Sequence, residues 1–153
     1  MSAAVIDSAT RKTQFDQRLI VILGYAGILP MLGCLLMIES SWSLALLKSY
    51  SLAIIAFLAG NWWSTALMRR GTSARELKLI LLLSNAVVIT AVVAVAFLGT
   101  LSLLALALLF ACLLMGERLL NVFRQQPAYY RSMRTGVTML VVALHLSAFW
   151  RLL

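Results

Sequence analysis

Residues 77–121 read LKLILLLSNAVVITAVVAVAFLGTLSLLALALLFACLLMGERLLN, with no charged residue between Lys78 and Glu117. A helix that crosses a bilayer needs about 20 mainly apolar residues. The stretch holds two such lengths, 77–98 and 101–121, separated only by Gly99 and Thr100. The hydrocarbon interior offers no water to backbone N–H and C=O groups, so a spanning segment is a helix or part of a closed barrel. Alternation of period two is missing, which leaves helices. So short a connection folds the pair into an antiparallel hairpin.

Three further segments satisfy the same criterion, at 19–38, 44–67 and 135–153. The expected fold is therefore all-α, a polytopic bundle of five transmembrane helices preceded by a polar cytoplasmic tail, 1–18. Composition agrees. Of 153 residues, 63% are hydrophobic and 12% charged, whereas soluble domains are about 45–50% apolar and about 25% charged. One water-exposed core of this size could not hide that much apolar surface. The length leaves room for one compact bundle and no separate soluble domain.

The net charge of +8 is spread over the flanks of the apolar runs and forms no continuous patch, so nucleic acid is not an expected partner. Eleven of the thirteen basic residues fall on one side of the expected bundle. They are Arg11, Lys12 and Arg18 in the tail, Arg69, Arg70, Arg75 and Lys78 between the second and third spans, and Arg118, Arg124, Arg131 and Arg134 between the fourth and fifth. Only Lys48 and Arg151 fall on the other. The positive-inside rule then puts the N-terminus inside and the C-terminus outside. Asp7 and Asp16 argue against a mitochondrial transit peptide, which is poor in acidic residues. No small-x-small cleavage site follows the first apolar run, and Leu32 spoils the likeness of Met31–Cys34 to a lipoprotein box, so an uncleaved first helix is expected. The segment 117–134 reads as an interfacial connection.

Several residues inside the spans could carry chemistry. Pro30 removes one backbone donor and crowds the carbonyl of Ala26, so a kink is expected near Ala26–Pro30. Its purpose is close packing beside Gly24, Gly27 and Gly33, or exposure of carbonyls to an ion or substrate. Ala56, Gly60 and Ser64 form a small-residue stripe at four-residue spacing, and Ala86, Thr90 and Ala94 form another. The pair suggests a close contact between the second and third spans. Lys48 can snorkel to headgroups. His145, about 15 Å into the fifth span at 1.5 Å per residue, is either a neutral, hydrogen-bonded imidazole or part of a proton relay. Thr138 lies on the same helix face.

Asn61, Asn85, Glu117 and Asn121 all fall toward the basic ends of their spans, Glu117 and Asn121 on one face at i,i+4. They read as a polar cluster at the inner mouth, or as interhelical hydrogen bonds that fix packing. Trp62, Trp63, Tyr129 and Tyr130 read as interface anchors. Cys34 and Cys112 sit in apolar runs and behave as small hydrophobes. No metal-ligand, nucleophile or phosphate-binding motif is present, so no catalytic residue, metal or cofactor is expected.

Three stretches share an order and spacing with a known group of proteins: LGYAGILP at 23–30, the run from Tyr50 to Trp63 that ends in FLAGNWW, and PAYYRSMR at 127–134. Together they resemble the transmembrane protein 69-like family, a domain of unknown function found in bacteria and mitochondria. The family pattern in the second span runs FLGG, an apolar residue, His or Arg, Trp and Gly. Phe57, Gly60 and Trp63 match it, while Trp62 replaces the basic residue and Ser64 the glycine. The resemblance implies a small inner-membrane protein and brings no activity with it. The expected role is non-catalytic, as a structural or assembly partner within the bilayer, bound to another membrane protein or to further copies of itself. The rival expectation is a small transporter or channel using the Pro30 kink, His145 and the inner polar cluster.

Overall fold

A computed structural model describes residues 3–69 and 73–153, and the side chains of all of these except 3–13 and 15. Arg70 and the side chains of Arg11 and Lys12, which enter the charge asymmetry, lie outside the described residues. Six α-helices follow one another: α1 Ala3–Ala26, α2 Leu29–Leu36, α3 Ser41–Met68, α4 Ala74–Phe97, α5 Ser102–Leu119 and α6 Ala128–Arg151. Short 3₁₀ turns at Gly99–Leu101 and Asn121–Phe123 join α4 to α5 and extend α5. There is no strand among the described residues. α1 and α2 together make one apolar span over Asp16–Leu36, and α3, α4, α5 with its leading turn, and α6 make four more. The described residues thus form a five-span, multi-pass membrane bundle.

The first span is broken by its proline. Pro30 sits in the first turn of α2, where a missing N–H costs nothing. The residue before the break, Ala26, loses the donor that Pro30 would have supplied. One residue on, the Gly27 carbonyl within the break accepts from the Tyr50 hydroxyl at 2.9 Å. A side chain of α3 thus reaches into the break.

Two boundaries differ from expectation. Residues 3–18, read as a polar tail, are helical backbone continuous with the first span. The last helix begins at Ala128 rather than at 135. Pro127 has the extended ψ of 146° that suits a residue just outside a helix. The turns beyond it are held by burial of Met133 and Arg134. The interfacial connection expected over 117–134 thus shrinks to the short segment between α5 and α6. At the other boundary, Ser73 caps α4, its hydroxyl accepting from the Glu76 N–H at 3.2 Å.

α5 packs on α6, α3 on α4, α1 on α6, α2 on α3, and α4 on α5. The small residues at these contacts are not the expected ones. Ala56, Gly60 and Ser64 face outward, as do Ala86 and Thr90, and only Ala94 is buried. A Cβ added at Gly60 would meet nothing within 4 Å. Close approach is made instead by Ser51, Ala59 and Ala66 of α3 and by Ser84, Ala91 and Ala94 of α4. Helix spacing alone shows that a stripe exists. It does not show which way the stripe turns.

Candidate functional site

Among the described residues the bundle holds one buried ion pair. Glu117 on α5 and Arg134 on α6 are 8% and 6% exposed. Arg134 donates from Nε to Glu117 Oε2 at 3.2 Å and from Nη2 to Oε1 at 2.9 Å, a bidentate arrangement. The indole N–H of Trp62 on α3 points at the same Oε1 from 3.4 Å. Three helices thus meet on one carboxylate. Burying either charge alone would be costly, and the fork geometry satisfies both.

Trp62 reaches that position because α5 makes room. The indole stands over Gly116, where any Cβ would collide with the six-membered ring. Its other side meets Phe123, with ring centroids 5.4 Å apart at 45°. Trp62 is 3% exposed, so it is a core residue and not an interface anchor. Trp63, its neighbour in sequence, is 41% exposed and donates from Nε1 to the Ser84 hydroxyl at 2.7 Å. Successive helical residues are separated by about 100°, and that rotation sends the two indoles to different helices.

The expected inner polar cluster does not assemble as one site. Asn85 is exposed and spends its amide on the Leu81 carbonyl of its own helix, 2.8 Å away. Asn121 shares no face with Glu117, because α5 ends at Leu119 and Asn121 lies in the 3₁₀ turn beyond it. Asn121 is exposed and borders a shallow pocket with Ser73, Arg75 and Glu76. Arg118 does not pair with Glu117. It donates to the Arg131 carbonyl at 3.0 Å and to the Thr135 hydroxyl. Asn61 does lie near the ion pair. It and Tyr130 line the cavity that Arg134 also borders. Tyr129 is half-buried on the outer side of this helix start.

That cavity has a volume of about 580 Å³ and lies between α1, α3 and α6, with Phe110 of α5 at its floor. Its walls are almost wholly apolar. Asn61, Tyr130 and Arg134 gather the polarity toward the basic end, and Thr138 adds a hydroxyl one turn deeper.

His145 is fully buried. Its Nδ1 is 2.8 Å from the Val141 carbonyl, which can only accept, so Nδ1 carries the proton. Nε2 then faces the Ser51 hydroxyl at 3.0 Å, and that hydroxyl also lies 2.7 Å from the Leu47 carbonyl. The imidazole is tilted against Phe110, with centroids 5.6 Å apart. Arg134 is eleven residues earlier on α6, so His145 and Glu117 are separated by roughly 16 Å along the axis. They share no proton-transfer geometry. Among the described residues, no three His, Cys, Asp or Glu side chains come together as a metal site, and both cysteines are free.

Sequence reasoning missed Arg134 as an interior residue, because a charge beside a loop reads as a flank. A signal was present. Tyr130, Arg134, Thr138, Val141 and His145 repeat at helical spacing, and the buried face of the last span continues upstream through them.

No curated protein and no solved structure matches the chain. A family model described as protein of unknown function (DUF3429) matches residues 17–150, which takes in the five spans but for one residue at each outer end, and the Trp62–Glu117–Arg134 junction. The chain belongs to that family.

Proposed function

We propose that the protein is a non-catalytic structural or assembly subunit of a larger complex in the bacterial inner membrane, with its N-terminus on the cytoplasmic side. The observation that carries this reading is the outer face of α3. Ala45, Ser49, Ala53, Ala56, Gly60 and Ser64 are all exposed. At about 100° per residue they fall within one narrow arc, and from first to last they run about 29 Å. That matches a hydrocarbon core about 30 Å thick. Between Ala45 and Ser64 small residues dominate this arc, with Leu46 and Trp63 at its two edges. A surface of small residues lets another helix backbone approach closely, and close approach drives helix association in lipid. Among the described residues, no helix of this chain covers it. The occupant is a transmembrane helix of a partner protein or of a second copy.

The likeness to transmembrane protein 69-like proteins belongs to this reading and rests on the three stretches quoted above. Transport has weaker support. The Gly27 carbonyl in the Pro30 break is taken by Tyr50, Asn85 is spent on its own helix, and Asn121 lies in the 3₁₀ turn beyond α5.

Gly60→Leu tests the reading, since the added side chain meets open space and leaves the fold intact. Wild-type protein in mild detergent should co-purify with a partner or run as an oligomer, and the variant should lose that species. Identical behaviour of the two proteins, or a wild-type monomer that stays alone across several detergents, would count against the proposal. Reporter fusions at Ser73 and at the C-terminus should read inside and outside respectively.

A further inference from the structure

The cavity between α1, α3 and α6 has the shape and chemistry of a ligand site. Its volume, about 580 Å³, lies within the roughly 300–1,000 Å³ typical of ligand pockets. It opens sideways. α1 packs on α6 and scarcely touches α3, and Leu23 of α1 and Phe57 of α3 line the cavity while being among the exposed apolar residues of the outer surface. What surrounds that opening in a membrane is lipid.

The interior is graded. Leu23, Ile54 and Val137 supply apolar walls, and Asn61, Tyr130 and Arg134 form a polar pole at one end, while the Tyr50 hydroxyl farther along is spent on the Gly27 carbonyl. Glu117 occupies Nε and Nη2 of Arg134, which leaves the pole nearly neutral and rich in hydrogen-bond donors. Thr138 lines the cavity between pole and walls, and its Oγ1 is buried without a partner. Ser51, Thr65 and Thr135 on these helices, by contrast, back-bond carbonyls of their own helix. Threonine in a helix divides between two χ1 rotamers, so a small rotation offers this hydroxyl to an occupant.

We propose that the cavity binds one acyl chain of a membrane lipid. The carbonyl group at the head of the chain accepts hydrogen bonds from the Asn61–Tyr130–Arg134 pole and from Thr138, and the chain lies along Ile54 and Val137. A donor-rich but charge-balanced pole suits an ester or acid carbonyl. An apolar body open to the bilayer suits the chain. The site lies on a different face of α3 from the small-residue ribbon, so it stands or falls separately from the assembly role.

The test is photolabelling in bilayers that contain an acyl chain with a terminal diazirine, carried in turn by a diacyl phospholipid, a diacylglycerol or a free fatty acid. Peptide mapping should place the label on Ile54, Val137 and their neighbours, above the level on outward residues such as Leu82 and Leu140. The arm that labels most strongly identifies the natural carrier. Val137→Phe, and independently Ile54→Phe, should fill the cavity and reduce that labelling about tenfold while sparing the outward sites. Thr138→Val should reduce it about threefold with no loss of thermal stability. Labelling no higher in the cavity than on the outer face in all three arms would overturn the proposal. So would cavity labelling unchanged by both filling variants.

Discussion

The two ends of the bundle handle buried polarity in different ways. At the basic end, Arg134 is matched by a formal charge, Glu117, and the pair is locked by an indole. At the opposite end the cations are matched by backbone carbonyls. Lys48 donates at 2.7 Å to the Gly99 carbonyl in the turn between α4 and α5, which the Ser102 hydroxyl also bonds. Arg151 donates to the Leu35 carbonyl at 2.8 Å in the last turn of α2, and the Ser43 hydroxyl covers the Cys34 carbonyl at 2.7 Å. The last carbonyls of a helix have no intrahelical donor and carry partial negative charge. A cation that keeps some contact with its surroundings needs no more than that. Arg134 is 6% exposed, and only a carboxylate compensates for removing it from water. Lys48 was expected to snorkel to headgroups. It pins the α4–α5 turn instead.

The largest test of this contrast is to remove one charge of the pair. Glu117→Leu leaves Arg134 buried and unpaired and should cost about 3–5 kcal/mol, read as a lowered unfolding midpoint in detergent or bicelles. Glu117→Leu combined with Arg134→Met should recover most of the loss. If the double variant were no better than the single, the pair would not be the source of the cost. Gly116→Ala comes next. It drives a methyl group into the Trp62 ring and should cost about 1–3 kcal/mol. Its near-UV circular dichroism should change as the indole moves, and an unchanged spectrum and midpoint would show that Trp62 has room to spare.

Smaller effects belong to the other end. Lys48→Met or Arg151→Met should each lower stability by about 0.3–1 kcal/mol, the usual worth of a cation at a helix C-terminus. A loss as large as that of Glu117→Leu would erase the distinction between the ends. Smallest of all is Thr138→Val, which deletes a hydroxyl that has no partner. It should leave the midpoint unchanged or raise it slightly, by at most about 1 kcal/mol. A clear destabilisation would mean that the hydroxyl is bonded in the folded state.

Much of the fold was legible because it depends on local properties. Runs such as 77–98 and 101–121 are long and apolar enough to cross a bilayer whatever surrounds them. Pro30 lacks an N–H in any context. The candidate site was less legible. Asn61, Glu117 and His145 were recognisable as polar residues within apolar spans, but their partners were not. Glu117 joins an arginine that had been read as part of a loop, and His145 joins Ser51 on a helix 94 residues away in sequence. The small-residue stripe of α3 was recognised and assigned to the wrong neighbour.

By itself, then, the sequence determined the number of spans, their order and the place where the first one breaks. Backbone hydrogen bonding in lipid allows no other solution for such segments. The tertiary structure decided which face of each helix turns inward. In water an apolar stripe marks the buried side of a helix, but lipid accepts apolar residues on both sides, so that signal is lost. Shape and hydrogen bonding settle the matter instead. Gly116 opens a socket, and Trp62 rather than Trp63 fills it. Glu117 then finds its donor in Arg134, and the small face of α3 is left toward the membrane.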